Sequence, residues 1–143
     1  MKRLIHTLAF VIAAAGTPTV AQQSVGVRVE FQGPGGHSFG AYGRVSALHA
    51  ASRTVILLQK ALPAGSYQIT NLTGGNSVNA IASDGLIELK LTARNARAYE
   101  ALVAAVTKAA EEGAAAENAF RGVKAGDLTA GAPATVRSSI TRF

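Results

Sequence analysis

The chain has 143 residues, 48% hydrophobic and 15% charged, which is enough apolar material for one core in one domain. Its net charge of +6 comes from 14 Lys and Arg against 8 Asp and Glu, scattered with no basic run or aromatic-interleaved stripe, so a nucleic-acid surface is not expected. Cysteine is absent, which excludes a disulfide framework, a thiolate nucleophile and a Cys-based zinc site.

Met1-Lys2-Arg3, the apolar stretch Leu4 to Ala15 and the small-residue exit through Pro18 to Ala21 read as a secretory signal peptide over residues 1–21. The stretch is shorter than the ~20 residues of a comfortable span, so no stable membrane insertion is expected after cleavage. The expected compartment is secreted or periplasmic, and an uncleaved anchor is the alternative. Val25, Val27, Val29 and Phe31 then alternate with Gly26, Arg28, Glu30 and Gln32. That period of two predicts a half-buried strand, stopped by Gly33-Pro34-Gly35-Gly36. Between Gly43 and Leu62 the period changes, and Val45, Leu48, Ala51, Val55, Leu58 and Leu62 mark one face of a helix ended by Pro63 and Gly65.

Tyr67 to Thr73 is a β-prone run, broken at Gly74-Gly75-Asn76. Val78 to Ala82 is a short extended piece, Asp84-Gly85 a turn, and Leu86 to Thr92 a strand with Ile87, Leu89 and Leu91 toward the core. Asn95 is a helix N-cap, followed by a buried stripe of Tyr99, Leu102, Val103, Val106 and Ala110. Gly113 reads as a stop or as a weak point in a longer helix. A last strand is expected between Asn118 and Lys124, closing a domain over residues 25–130, with 131–143 a flexible tail. The order strand, helix, strand, strand, helix, strand predicts an α+β, ferredoxin-like βαββαβ fold. Two helices should cover one face of a four-stranded, mainly antiparallel sheet.

Little in the chain can do chemistry alone. His6 lies in the expected leader, His37 in a glycine loop and His49 on the first helix, and none belongs to a metal-binding pair. His49 reads as a partly buried helix histidine. Ser38 beside His37 lacks a third orienting group, and Gly33 to Gly36 lacks the Lys-Ser or Lys-Thr of a phosphate loop. Asn71-Leu72-Thr73 fits the short glycosylation pattern. Two glycine-flanked segments stand out, Gly33 to Ser38 and Gly74 to Ile81. Read from the residues alone they are two tight turns, with His37 exposed and Asn79 satisfying a backbone group.

Together the segments Val29-Glu30-Phe31-Gln32-Gly33-Pro34-Gly35-Gly36-His37-Ser38, Gly74-Gly75-Asn76-Ser77-Val78-Asn79-Ala80-Ile81 and Leu89-Lys90-Leu91-Thr92-Ala93-Arg94 resemble, in order and spacing, the dimerisation (lid) domain of the zinc aminoacylase, carboxypeptidase and desuccinylase family. The likeness runs from about Val25 to Leu128. It implies that His37 reaches the active site of a partner subunit, binding substrate or stabilising the reacting oxyanion, and that Asn79 contacts substrate. It implies a substrate contact for Arg94 as well, although Thr92 stands where the family often has Asp. The family's metal-ligand motifs are not in this sequence, so the resemblance implies zinc only in a separate catalytic domain, no cofactor here and no catalysis by this chain alone. It implies pairing with a second copy, and the unpaired edges of a four-stranded sheet point to a homodimer through the Tyr67 to Thr73 strand and the first helix. Two other readings remain. One is a fragment or split subunit of a metallohydrolase that supplies His37 and Asn79 to a separate catalytic domain. The other is a secreted binder of a small anionic ligand, using Arg94 and the glycine loops.

Overall fold

In the computed structural model, residues 23–143 are described, and the expected leader over residues 1–21 lies outside them. Alternation sets the first strand, β1 (Gln23–Gln32), whose Val27, Val29 and Phe31 are buried while Arg28, Glu30 and Gln32 face solvent. The same pattern recurs in β5 (Asp84–Ala93), with Ile87, Leu89, Leu91 and Ala93 inward. The two strands pair antiparallel with Val27 opposite Leu89 and Val29 opposite Ile87, so their apolar sides coincide. A one-residue slip would turn that whole set toward water.

The remaining elements follow in chain order. After β2 (Gly36–His37) come helix α1 (Ala47–Ala61), β3 (Tyr67–Thr73) and β4 (Ala80–Ile81). After β5 come α2 (Ala96–Phe120), β6 (Leu128–Thr129), β7 (Ala132–Pro133) and β8 (Arg137–Arg142). The main sheet has the order β3-β5-β1-β8, and every neighbouring pair is antiparallel. Helix α1 crosses from β1 to β3 with β5 between them, and α2 crosses from β5 to β8 with β1 between them. These are the two split βαβ units of the ferredoxin-like α+β fold.

Small side chains let the helices sit close. α1 buries Ala47, Ala50, Ala51, Thr54 and Leu58, and α2 buries Val103, Val106, Ala109, Ala110, Gly113 and Ala114. A Cβ on Gly113 would stand 2.0 Å from Thr54 Oγ1 and 3.0 Å from the Ala50 carbonyl. Gly113 therefore lets α1 and α2 approach more closely than a side chain would allow, and α2 runs through it without stopping. Both helix starts are capped: the Ser46 hydroxyl accepts from the His49 amide, and Asn95 Oδ1 accepts from the Ala98 amide at 2.8 Å.

Three sequence expectations are corrected. α1 begins at Ala47, four residues later than Gly43, because Ser46 is its N-cap and Gly43 holds a left-handed φ of 88° in the preceding loop. The stretch Asn118 to Lys124 is not a strand: α2 continues to Phe120, and the Asn118 amide exchanges two hydrogen bonds with the Val136 backbone, at 2.8 and 3.0 Å. The fourth strand is β8, inside the expected tail. Its residues Arg137–Arg142 pair with Gln32–Val27, and Phe143 adds two further backbone hydrogen bonds to Gly26, each 3.0 Å. This strand carries few apolar side chains, so the backbone ladder to β1 holds it, a contribution with no signature in hydropathy.

Candidate functional site

The two glycine-flanked segments meet. Beyond the ends of β1 and β5, β2 and β4 form a short antiparallel ribbon with Gly36 opposite Ile81 and His37 opposite Ala80. The Ser38 amide donates to the Asn79 carbonyl at 2.8 Å, and the Gly33 amide to the Ser83 carbonyl at 2.8 Å, which fastens the ribbon to the sheet. Gly36 has a φ of 137°, and a Cβ there would lie 2.6 Å from the Ala41 Cβ. Only glycine fits that corner, and the corner turns His37 out into solvent. Arg44 Nη1 donates to the Gly35 carbonyl at 3.1 Å and braces the same turn.

His37 and Asn79 are both exposed, with His37 Nε2 3.3 Å from Asn79 Nδ2. The Phe39 amide donates to His37 Nδ1 at 3.3 Å, and Ser77 Oγ lies 2.6 Å from Asn79 Oδ1. Phe39, two residues after His37, is 93% exposed, and Val78, next to Asn79 in sequence, is fully exposed. Among the described residues, the result is an exposed polar pair with exposed apolar neighbours in sequence on both loops.

Arg94 does not join them. It follows Ala93, which pairs with Gln23 at one end of β5, whereas the ribbon lies past the Gln32–Asp84 pair at the other end. At about 3.3 Å per residue the two ends are roughly 30 Å apart. Within one chain, Arg94 and the His37–Asn79 pair cannot hold the same small ligand.

Glu117 is a feature that hydropathy reading missed. It sits four residues after Gly113 on the buried stripe of α2, so the helical period itself was the available signal. Its side chain is fully buried. Oε1 accepts from the Ser46 amide at 3.1 Å and from Arg121 Nε at 3.3 Å, and Oε2 accepts from Arg53 Nε at 3.0 Å. Burial pushes its pKa upward; the Ser46 amide, the two guanidiniums and nearby His49 outweigh that and hold the carboxyl below its ordinary value. His49 lies 3.7 Å from Oε1 but keeps 57% of its side chain exposed, so the partly buried histidine expected there is mostly in water. Phe120 lies between the Arg53 and Arg121 guanidiniums, at 5.0 and 4.9 Å from its ring centre. The cluster locks the end of α2 onto the first half of α1 and its Ser46 cap.

Among the described residues, no group of three or more His, Cys, Asp or Glu gathers as a metal site, and no helix is long and apolar enough to cross a membrane.

A four-stranded antiparallel sheet of this order with two helices on one face is an α+β domain of ferredoxin-like architecture. The chain belongs to the peptidase dimerisation domain family, whose profile matches residues 21–118. Solved structures agree on the fold. An aminobenzoyl-glutamate utilization protein from Klebsiella pneumoniae aligns with a TM-score of 0.62 at 14% identity, over 85% of this chain and 28% of its own. A hydantoinase/carbamoylase family amidase from Burkholderia ambifaria aligns at 0.62 with 20% identity, over 87% of this chain and 28% of its own. A tripeptidase from Staphylococcus aureus aligns at 0.60 with 14% identity, over 85% of this chain and 29% of its own. The chain thus spans less than a third of the length of these structures. A search of curated proteins gives no match.

Proposed function

We propose that this chain is a non-catalytic dimerisation and lid module, two copies pairing through β3 and the adjoining side of α1. The observation that carries this is the character of β3. It is an outer strand of the sheet with no charged residue, and it leaves Leu72 43% exposed, while Ile56 of α1 is 54% exposed. An uncharged outer strand with apolar side chains offers free N–H and C=O groups to a second strand. Edge-to-edge pairing about a twofold axis satisfies both copies at once. Light scattering over a concentration series tests it. The full chain is expected at dimer mass, with Ile56→Glu and Leu72→Lys at monomer mass and with unchanged circular dichroism. A wild-type monomer at every concentration, or variants that stay dimeric, would overturn this interface.

A second reading concerns what the ribbon serves. The His37–Asn79 pair, adjacent and exposed to solvent, supports a role in trans, completing the active site of a separate hydrolase domain. The solved relatives are a peptidase, an amidase and a glutamate-conjugate utilization protein by name, so the substrate class proposed is an amide or peptide bond bearing a carboxylate. In this proposal the zinc and its ligands belong to the catalytic domain, and this chain holds no cofactor. Activity of a hydrolase domain reconstituted with His37→Ala should fall at least about tenfold, the loss of one transition-state hydrogen bond. Equal activity with the variant would remove the role. The compartment proposed from residues 1–21 is secreted or periplasmic, and an intact Met1 in the mature protein's mass would contradict cleavage.

A further inference from the structure

A guanidinium carries its N–H donors in a rigid fork, and one that spends only Nε–H keeps both Nη groups for another partner. Arg53 and Arg121 are in that position. Each gives Nε–H to Glu117, at 3.0 and 3.3 Å, and among the described residues neither makes a hydrogen bond through Nη or meets a second carboxylate. Those Nη groups are not buried, because Tyr99 Oη is the one buried side-chain polar atom without a partner among the described residues. The Glu117 side chain has no exposed surface, whereas Arg53 and Arg121 keep 36% and 24% of theirs. Both guanidiniums also stand over the Phe120 ring. One buried carboxylate and one aromatic ring thus hold two forks in place from behind, and further ordering on binding costs little.

The charge does not balance within the cluster. Two guanidiniums against one carboxylate leave a positive charge, and His49 adds another when protonated. The helix ends do not remove it. Glu117 near the end of α2 accepts from the Ser46 amide at the start of α1, so a negative and a positive dipole end lie together, about half a charge each, and offset. A carboxylate presents one edge of two oxygens, which serves one fork. A tetrahedral oxyanion presents several such edges and can accept a fork from each of two arginines. We propose that Arg53 and Arg121 form a binding site for a phosphoryl group, with Glu117 and Phe120 as positioning residues behind them. The phosphoryl group belongs either to a small soluble phosphate ester or to a lipid headgroup.

NMR of the arginine Nε–H signals in the full chain, titrated with inorganic phosphate at constant ionic strength, tests the site. The Arg53 and Arg121 signals should shift and saturate. Sulfate should act alike, and acetate at the same ionic strength should leave both in place. Arg53→Lys and Arg121→Lys keep a cation for Glu117 but lose the outward fork, so each should weaken phosphate binding about tenfold, the worth of a charge-assisted hydrogen bond. Arg97→Lys, at the other end of α2, should leave it unchanged. Phosphatidylglycerol vesicles separate the two sources. Sedimentation with them in the wild type, lost in both lysine variants of equal charge, assigns a lipid headgroup; phosphate binding without sedimentation assigns a soluble ester. No saturable shift with phosphate, an equal shift with acetate, or undiminished binding in both lysine variants would overturn the site. The wild-type titration decides the matter even if a variant fails to fold.

Discussion

The two outer strands of the sheet, β3 and β8, occupy equivalent positions and are built on opposite principles. β3 reads Tyr-Gln-Ile-Thr-Asn-Leu-Thr, with no charge, and a bulge between Ile69 and Asn71 distorts its ladder to β5. β8 reads Arg-Ser-Ser-Ile-Thr-Arg, with an arginine at each end. Arg142 is held by Glu100 of α2 at 2.7 and 2.8 Å, and the Arg28 guanidinium lies 5.5 Å from the centre of the Phe143 ring. Charged side chains on an outer strand discourage a further strand from adding. One edge is thus tied back to its own chain and guarded by charge, while the other is left neutral and partly apolar. The proposed interface uses the neutral edge, and the contrast in charge is what favours it.

That contrast can be broken in several ways. The largest expected effect is at Glu117, whose cluster fixes the end of α2 from which the chain departs toward β8. Glu117→Ala leaves the Ser46 amide without an acceptor and two guanidiniums without a counter-charge, and should cost about 2–3 kcal/mol, toward the lower end for a buried pair because both arginines keep some water. Urea denaturation measures this. The pH dependence follows from the same carboxylate. Its folded pKa lies below the ordinary 4.5, so its contribution is present above 4.5 and fades as pH falls through the lower folded value. The midpoint of thermal unfolding should therefore drop on acidification in the wild type, and Glu117→Gln should flatten that drop.

A smaller effect is expected at Asn118, which substitutes for a strand partner at Val136. Asn118→Ala should cost about 1–2 kcal/mol. It should speed hydrogen exchange in residues 136–142 while amides of β3 keep their rates; equal loosening of both edges would mean the strands are not held independently. The smallest effect sharpens the comparison directly. Thr141→Lys on β8 should leave the solution mass unchanged, whereas Leu72→Lys on β3 should give monomers with little change in the unfolding midpoint. If Thr141→Lys also dissociated the protein, both edges would be engaged.

Much of the core was legible in the chain. The alternation of Val25 to Phe31 and of Leu86 to Thr92, the Asn95 cap and the Tyr67 to Thr73 run all stand where the residues implied, because half-buried strands and amphipathic helices write their period into hydropathy. The order of these elements was enough for the ferredoxin-like sheet, since split βαβ units leave few other arrangements. The resemblance gave His37 and Asn79 each a substrate role, but no local pattern brings them together, because 42 residues separate them.

Other features were decided only by tertiary contact. β8 is a strand because β1 offers it a ladder, and Ser138, Ser139 and Thr141 carry no apolar signal of that. α2 passes Gly113 because α1 lies against it, so a residue that reads as a stop is the place where two helices touch. Glu117 is buried because three donors converge on it from both helices, and a carboxylate in a sequence says nothing of where its donors will be. Arg94, near His37 and Asn79 only in the family's list of motifs, is set apart from them by the length of β5. Periodicity reports how each segment divides itself between core and water. Which backbone meets which, and which charges are brought together, depends on residues far along the chain.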